Sequence, residues 1–344
     1  MKSLKRILSI TLFVSVAAFW ALTAAFAADV MTVLGPVPVD KLGFTLMHEH
    51  LAFAYPGWSA DESVAPYDRK AIEQKSLKFL NEIKELGVKT WVEPAMNDVG
   101  GRDPILMKNL AKKTGLNMIV STGMYWEGEG TTRYYKWNQA IGRNIEDDFY
   151  ELFKRELTVG IGKTGVKAGL VKLASGDPAI SDYEKIVFKA GVRAAKDVGV
   201  SITTHCQGGT VGLAQQDLFL SLGANPKRII IGHQNNSIDL NYHLAQLQRP
   251  DFYIGFDRTS LGDPKAEDCL IELIKRGYAN RLTVSHDYVG TWLGRPFNMK
   301  ALPATWYPTY IHKVFIPKAK AAGVTDEQLN TIFVENPRRF FTGE

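Results

Sequence analysis

Five of the seven histidines in this chain stand at or just beyond the ends of short apolar runs, a placement that could gather them for chemistry. His48 and His50 follow the run from Phe44, His205 follows 200–204, and His233 follows 228–232. His286 ends the run 281–286, and Asp287 comes next. On an extended strand, side chains at i and i+2 share a face, so His48 and His50 point one way and Glu49 the other. Two imidazoles on one face are good ligands for zinc or a related divalent ion. An H-x-H by itself says little, and any one of these histidines could simply satisfy a local hydrogen bond. Four of them together with Asp287, all at the ends of sequence-distant runs, make His48, His50, His205, His233 and Asp287 candidate metal ligands. Glu49 and His286 read as structural, since His286 should point away from its neighbour. His243 and His312 fall in helical patterns, 240–247 and 310–315, and read as packing or surface residues.

Lys172 interrupts the run Gly169-Leu170-Val171-Lys172-Leu173-Ala174, which is otherwise apolar. An unpaired ammonium in such a place is costly and tends to shed its proton. One reading is a buried ion pair with a carboxylate. The other is that neutral Lys172 takes up CO2 as a carbamate, an anionic bidentate group able to bridge two metal ions.

Convergence of these residues requires a scaffold whose strands all end on one side. Eight strands are expected, at 44–48, 88–93, 117–122, 168–173, 200–204, 228–232, 252–256 and 281–286. Most are continuous apolar runs, the mark of parallel strands buried on both faces. Between them lie helical patterns at 72–86, 105–114, 183–198, 213–222 and 266–276, each followed by glycine at the position of a left-handed cap. Strand–helix alternation repeated eight times predicts a single-domain (β/α)8 TIM barrel, α/β in class, with its site at the C-terminal rim. A dinucleotide-binding open sheet is the competitor, but no G-x-G-x-x-G follows the first strand. Three stretches, 52–66, 124–143 and 288–308, read as irregular loops at the barrel mouth. A capped helix should start at Thr325 and end at Pro337.

Residues 1–27 are set apart from this fold. Lys2, Lys5 and Arg6 precede an apolar run over 7–25, and Ala25-Phe26-Ala27 is a small-x-small cleavage site. The pattern predicts a signal peptide over 1–27, a mature domain over 28–344, and export to the periplasm or medium; an uncleaved anchor is the alternative. The segment carries three of the positive charges and no negative one, so the mature chain falls from +5 to +2. No basic block remains that would suit nucleic acid, and no second segment suits a membrane. Two cysteines, Cys206 and Cys269, exclude a disulfide framework and read as free thiols.

Taken together, Phe44-Thr45-Leu46-Met47-His48-Glu49-His50, Ala168-Gly169-Leu170-Val171-Lys172, Thr204-His205, Ile231-Gly232-His233 and Ser285-His286-Asp287 resemble the phosphotriesterase family of the amidohydrolase superfamily. The resemblance runs in order over nearly the whole mature chain, to Glu335-Asn336-Pro337-Arg338-Arg339-Phe340-Phe341. It implies a binuclear centre. His48, His50 and Asp287 would hold the more buried metal and His205 and His233 the more exposed one, with carboxylated Lys172 and a hydroxide between them. Zinc is the leading ion, with cobalt, manganese or iron as alternatives. It also suggests a homodimer.

The chemistry implied is hydrolysis of a small-molecule ester. A metal-bridging hydroxide would attack a lactone carbonyl or a phosphotriester, and Asp287 would carry the proton away. No G-x-S-x-G is present, so no serine triad competes. Tyr125, the Asp257-Arg258 pair and the short loop after it look like the phosphotriesterase-like lactonases. Tyr125, Arg258 and Trp292 are therefore the expected substrate contacts, with Tyr125 and Arg258 also catalytic. Trp126 and Trp306 join Trp292 as candidates to line an acyl channel. Asn236 and Glu93 depart from the family's usual aspartates, which puts the proton relay and the orientation of Arg258 in question. A lactonase with promiscuous organophosphate hydrolysis is expected. A true aryldialkylphosphatase and a non-catalytic exported binding protein on the same barrel are the alternatives.

Overall fold

The computed structural model describes residues 28–64, 66–208, 210–296, 300 and 302–344; the expected signal peptide over 1–27 lies outside the described residues. Eight strands follow in chain order: β1 Phe44–Leu46, β2 Val88–Glu93, β3 Asn117–Gly123, β4 Leu170–Ser175, β5 Ser201–Cys206, β6 Ile229–Ile231, β7 Tyr253–Phe256 and β8 Leu282–Val284. They pair in sequence order, and every pair is parallel. Every residue of β4 through β8 is buried. That explains the continuous apolar runs, because neither face of such a strand meets water.

β1 and β8 do not share a regular ladder. Their C-terminal extensions close the cylinder instead: Glu49–His50 pairs in parallel with Tyr288–Val289. Asp287 N donates to His48 O at 3.1 Å, Gly290 N to His50 O at 2.8 Å, and His48 N to Ser285 Oγ at 3.0 Å. The seam of the barrel is thus made by the segments that carry three of the candidate ligands.

Helices pack around the sheet with caps that the sequence supplies. Arg69–Glu85 starts at Asp68, Pro104–Thr114 at Asp103, and Pro264–Leu273 at Asp263; each aspartate accepts a backbone N–H. Asp182–Val198 carries a full capping box, Ser181 with Glu184, and ends at Gly199 with φ +80°. Each such N-cap contributes about 1 kcal/mol.

Four features depart from the sequence-based expectation. A hairpin of Asp29–Thr32 and Gly35–Pro38 covers the N-terminal end of the barrel; Val33 N bonds Met118 O, and Val30 packs with Leu42, Leu170, Tyr253 and Phe340. Its glycine and two prolines hide the strand pattern. The stretch 124–143, expected to be irregular, holds the helix Thr132–Ala140, whose tyrosines and tryptophan do not form a clean core stripe. Ile145–Thr158 is a further helix, capped by Asn144 and acidic in its first turn. Lastly, Pro337 does not end the C-terminal helix. Asp326–Asn330, a π-turn at Thr331–Glu335 and Asn336–Thr342 run on as one rod. In the π-turn, Asn336 N reaches back to Thr331 O, so the ladder is re-spaced just before the residue that lacks an N–H. The same device precedes Pro317: the π-turn Ile311–Phe315 leads into Ile316–Ala321.

Candidate metal centre

At the C-terminal ends of the strands lies a cavity of about 260 Å³. His48, His50, Lys172, His205, His233 and Asp287 all line it, as do Tyr125, Arg258 and Trp292. Every site residue expected from sequence is therefore brought to one place. Trp306 also reaches the cavity and donates from Nε1 to His286 O. Trp126 does not line it; its indole donates to Glu129 and lies against Gly128 and Gly176.

The imidazoles are held by carboxylates behind them. Asp257 spans two: its Oδ2 is 3.0 Å from His48 Nδ1, and its Oδ1 is 2.7 Å from His233 Nδ1 and takes His233 N at 2.8 Å. Glu93 takes His50 Nδ1 at 3.0 Å, Leu51 N at 2.8 Å and Trp91 Nε1 at 3.2 Å. A carboxylate on Nδ1 fixes that nitrogen as the N–H and leaves Nε2 as a lone pair facing the cavity. His48, His233 and Asp257 also lie close enough together to suggest a ligand set. The atoms that meet there are the Nδ1 groups already bonded to Asp257, so this triad orients rings. Asp257 is the important residue that sequence reasoning passed over. Its signal in the sequence is a carboxylate at the end of the seventh strand, beside Arg258. Glu93, which departs from the family's usual aspartate, is the brace of His50.

On the cavity side, Asp287 Oδ1 lies 3.4 Å from His48 Nε2 and 3.3 Å from His50 Nε2. The ligand atoms of these three residues fall within 4.8 Å of one another. The His205 and His233 rings meet edge to face at 4.4 Å, and the His48 and His233 rings lie tilted to one another at 4.8 Å. Lys172 Nζ is 3.5 Å from His48 Nε2 and donates to Thr204 O at 2.8 Å; no carboxylate pairs with it directly among the described residues. The buried ion pair considered for Lys172 is thus not formed.

Backbone geometry shows how tightly two of the candidate ligands are placed. His233 has φ +58° and Asp287 φ +53°, both in the left-handed region that side chains other than glycine rarely adopt. Such conformations cost about 1–3 kcal/mol and persist where surrounding contacts enforce them. Behind the site, Glu49 faces away from the cavity. It accepts His286 N, His286 Nδ1 and Tyr288 N, and Ile311 N donates to His286 Nε2. Both residues are structural, as expected. His243 is buried and contacts Ser237 O through Nε2; His312 sits against Phe44.

The electrostatics suit cations. Burial holds the pKa of His205 and His233 well below the ordinary value and, with Lys172, lowers that of His48. Neutral imidazoles are the form that ligates metal. For His50 burial acts in the same direction, but Asp287 and Glu93 outweigh it and raise its pKa to about 9. Two carboxylates facing one imidazole thus retain a proton where a divalent ion would balance the charge. Burial pushes Lys172 down to about 8. Burial opposes ionisation of Asp287, yet His48, His233, His50 and Arg258 hold its carboxyl well below the usual range. Four imidazoles, a carboxylate and a lysine amine form a donor set that fits divalent metal ions.

Arg258 is firmly oriented. Its Nε donates to Asp287 Oδ2 at 2.9 Å, its Nη1 to Asn236 Oδ1 at 3.2 Å, and its backbone N to Asn235 Oδ1 at 2.9 Å. Asn236 in turn donates from Nδ2 to Cys206 O and Gln207 O. An aspartate could accept from Arg258 but could not donate to those carbonyls, so Asn236 serves as a two-sided bridge. Tyr125 lies edge-on to His205 at 5.1 Å, with its backbone N held by Asp98.

The chain is similar to known proteins in both sequence and fold. The chain is 33% identical to an aryldialkylphosphatase of Saccharolobus solfataricus, over 88% of this chain and 95% of that one. The organophosphorus hydrolase of Deinococcus radiodurans superposes with a TM-score of 0.87 at 38% identity, covering 91% and 96% of the two chains. A further structure, from the engineering of organophosphate hydrolysis activity out of a weak promiscuous lactonase template, superposes with a TM-score of 0.87 at 36% identity, covering 91% of this chain and all of that one. Residues 28–341 match the phosphotriesterase family, and the chain belongs to it.

Proposed function

We propose that this protein is a metal-dependent hydrolase that opens lactones and acts more weakly on phosphotriesters. The observation that carries the reading is the convergence of four imidazoles, Lys172 and Asp287 on one cavity. His48, His50 and Asp287 would hold one divalent ion and His205 and His233 the other, with Lys172, as its carbamate, shared between them. Zinc, cobalt, manganese and iron all suit these donors. When bound, such ions would supply Lewis acidity and lower the pKa of the attacking water.

The chain's own residues do the rest. Asp287, kept ionised by His48, His233, His50 and Arg258 together, accepts the proton of the water. Burial, with Glu129 and Tyr55, raises the pKa of Tyr125 and keeps its hydroxyl protonated, so it can donate to the substrate. Phe53, Met96, Leu261, Val289, Trp292 and Trp306 give the cavity apolar walls that exclude water and suit an acyl or alkyl chain. The lactonase template among the structural neighbours supports the ester preference. Export after cleavage behind Ala27 belongs to the same proposal.

The test is metal content of the mature protein together with kcat/KM on a lactone panel and on paraoxon, for wild type and Lys172→Ala. About two metals per chain are expected, with metal weakened and activity reduced about 100-fold or more in the variant. Lactones should outrank paraoxon. The opposite ranking would favour the aryldialkylphosphatase reading, for which the 33% identical relative speaks. A wild type that holds no metal would favour a binding protein.

A further inference from the structure

Carboxylates brace the rings of His48, His50 and His233, but none among the described residues bonds His205. Its side chain meets the neutral Gln207, with Oε1 at 2.6 Å from His205 Nε2. Something else must hold its strand end in place. Behind β5 and β6 lie four glutamines, Gln215 and Gln216 on the helix Gly212–Ser221, Gln234 just after His233, and Gln246 on the helix Leu240–Leu247. All four are fully buried. Glutamine is ordinarily a surface residue, and its amide is costly to bury unless bonded.

Their donors run toward the site. Gln215 Nε2 donates to His205 O at 2.9 Å and to Ser175 Oγ at 2.8 Å. Gln216 Nε2 donates to Gln246 O at 3.1 Å, Gln246 Nε2 to Gln234 Oε1 at 2.7 Å, and Gln234 Nε2 to Gly232 O at 2.7 Å. One branch ends on the carbonyl of His205. The other ends on the carbonyl that precedes His233, whose left-handed backbone requires outside support. We propose that these glutamines are positioning residues that set His205 and His233 as a pair, and so tune one of the two metal positions without touching the other. This rests on the binuclear reading above.

The experiment measures both metal affinities by chelator competition, and the melting temperature of the metal-free protein, for wild type, Gln215→Met and Gln234→Met. Methionine keeps the volume and removes the donor. The expected result is a loss of about tenfold or more in affinity at one metal position, with the other unchanged. The melting temperature of the metal-free variants should stay close to that of the metal-free wild type. Should Gln234→Met fail to fold, Gln215→Met alone carries the test, since its bond falls directly on a ligand's carbonyl. Unchanged affinities, or equal loss at both positions, would overturn the proposal, because a merely structural network has no reason to discriminate. A wild type that binds fewer than two metals would instead sink the binuclear reading itself.

Discussion

At the scale of the residue, Lys172 is the group whose protonation would decide whether the proposed centre can assemble. A carbamate forms only on a neutral amine. With its pKa lowered to about 8 by burial, roughly a tenth of Lys172 is neutral at pH 7, against well under 0.1% for an ordinary lysine. The neutral fraction rises as pH rises, so the sign is unambiguous. At constant dissolved CO2, the CO2-dependent rate of metal uptake by metal-free protein should climb about tenfold per pH unit from pH 6 to 7 and level off above pH 8. Stopped-flow or dialysis uptake across pH 6–9 would measure it. A rate indifferent to CO2 at every pH would remove the carbamate. The candidate ligands are legible in the sequence because imidazoles and a lysine are anomalous at the ends of apolar runs. Asp257 and Glu93 were not, since an aspartate or glutamate near a strand end is ordinary until its partners on other strands are known.

At the scale of the element, the barrel strands could be read because burial on both faces leaves them continuously apolar, and their expected ends agree with the structure to within about two residues. Elements whose pattern follows other rules escaped, among them the proline-bearing hairpin and the helix that passes Pro337 through a π-turn. Close approach between strands also matters to the site. A Cβ on Gly232 would fall 2.1 Å from Thr204 O and 2.9 Å from Asp257 Oδ2. Gly232→Ala must therefore push β5 from β6 and displace the carboxylate that orients His48 and His233. A destabilisation of about 1–3 kcal/mol is expected, together with weakened metal binding. Gly199→Ala is the control. Its Cβ would meet nothing within 4 Å, and its cost of about 1 kcal/mol comes from a backbone φ of +80° alone. Denaturant unfolding and metal titration of both variants separate the cases; equal metal affinity in the two would show that the crowding at Gly232 does not reach the site.

At the scale of the whole molecule, the closure of the barrel and its chemistry are the same feature. The alternation of strands and helices announced a parallel α/β fold, but nothing local in the sequence says how β1 meets β8. The structure makes that seam from Glu49–His50 and Tyr288–Val289, beside a site in which His48 and His50 from one edge face Asp287 from the other. A divalent ion held by those three side chains would tie the first and last strands together. Binding to the folded state stabilises it by mass action, and here the gain should concentrate at the seam. Removal of metal should lower the melting temperature and speed amide exchange of Asp287 and Gly290, whose N–H groups bond His48 O and His50 O, by about tenfold or more. The amides between β4 and β5, paired over six residues from Leu170↔Ser201 to Ser175↔Cys206, should exchange at nearly unchanged rates. Hydrogen exchange resolved by residue, on metal-loaded and metal-free protein, distinguishes the outcomes. Uniform acceleration across all eight strands would mean that the metal stabilises the barrel as one body and that the seam is no weaker than the rest.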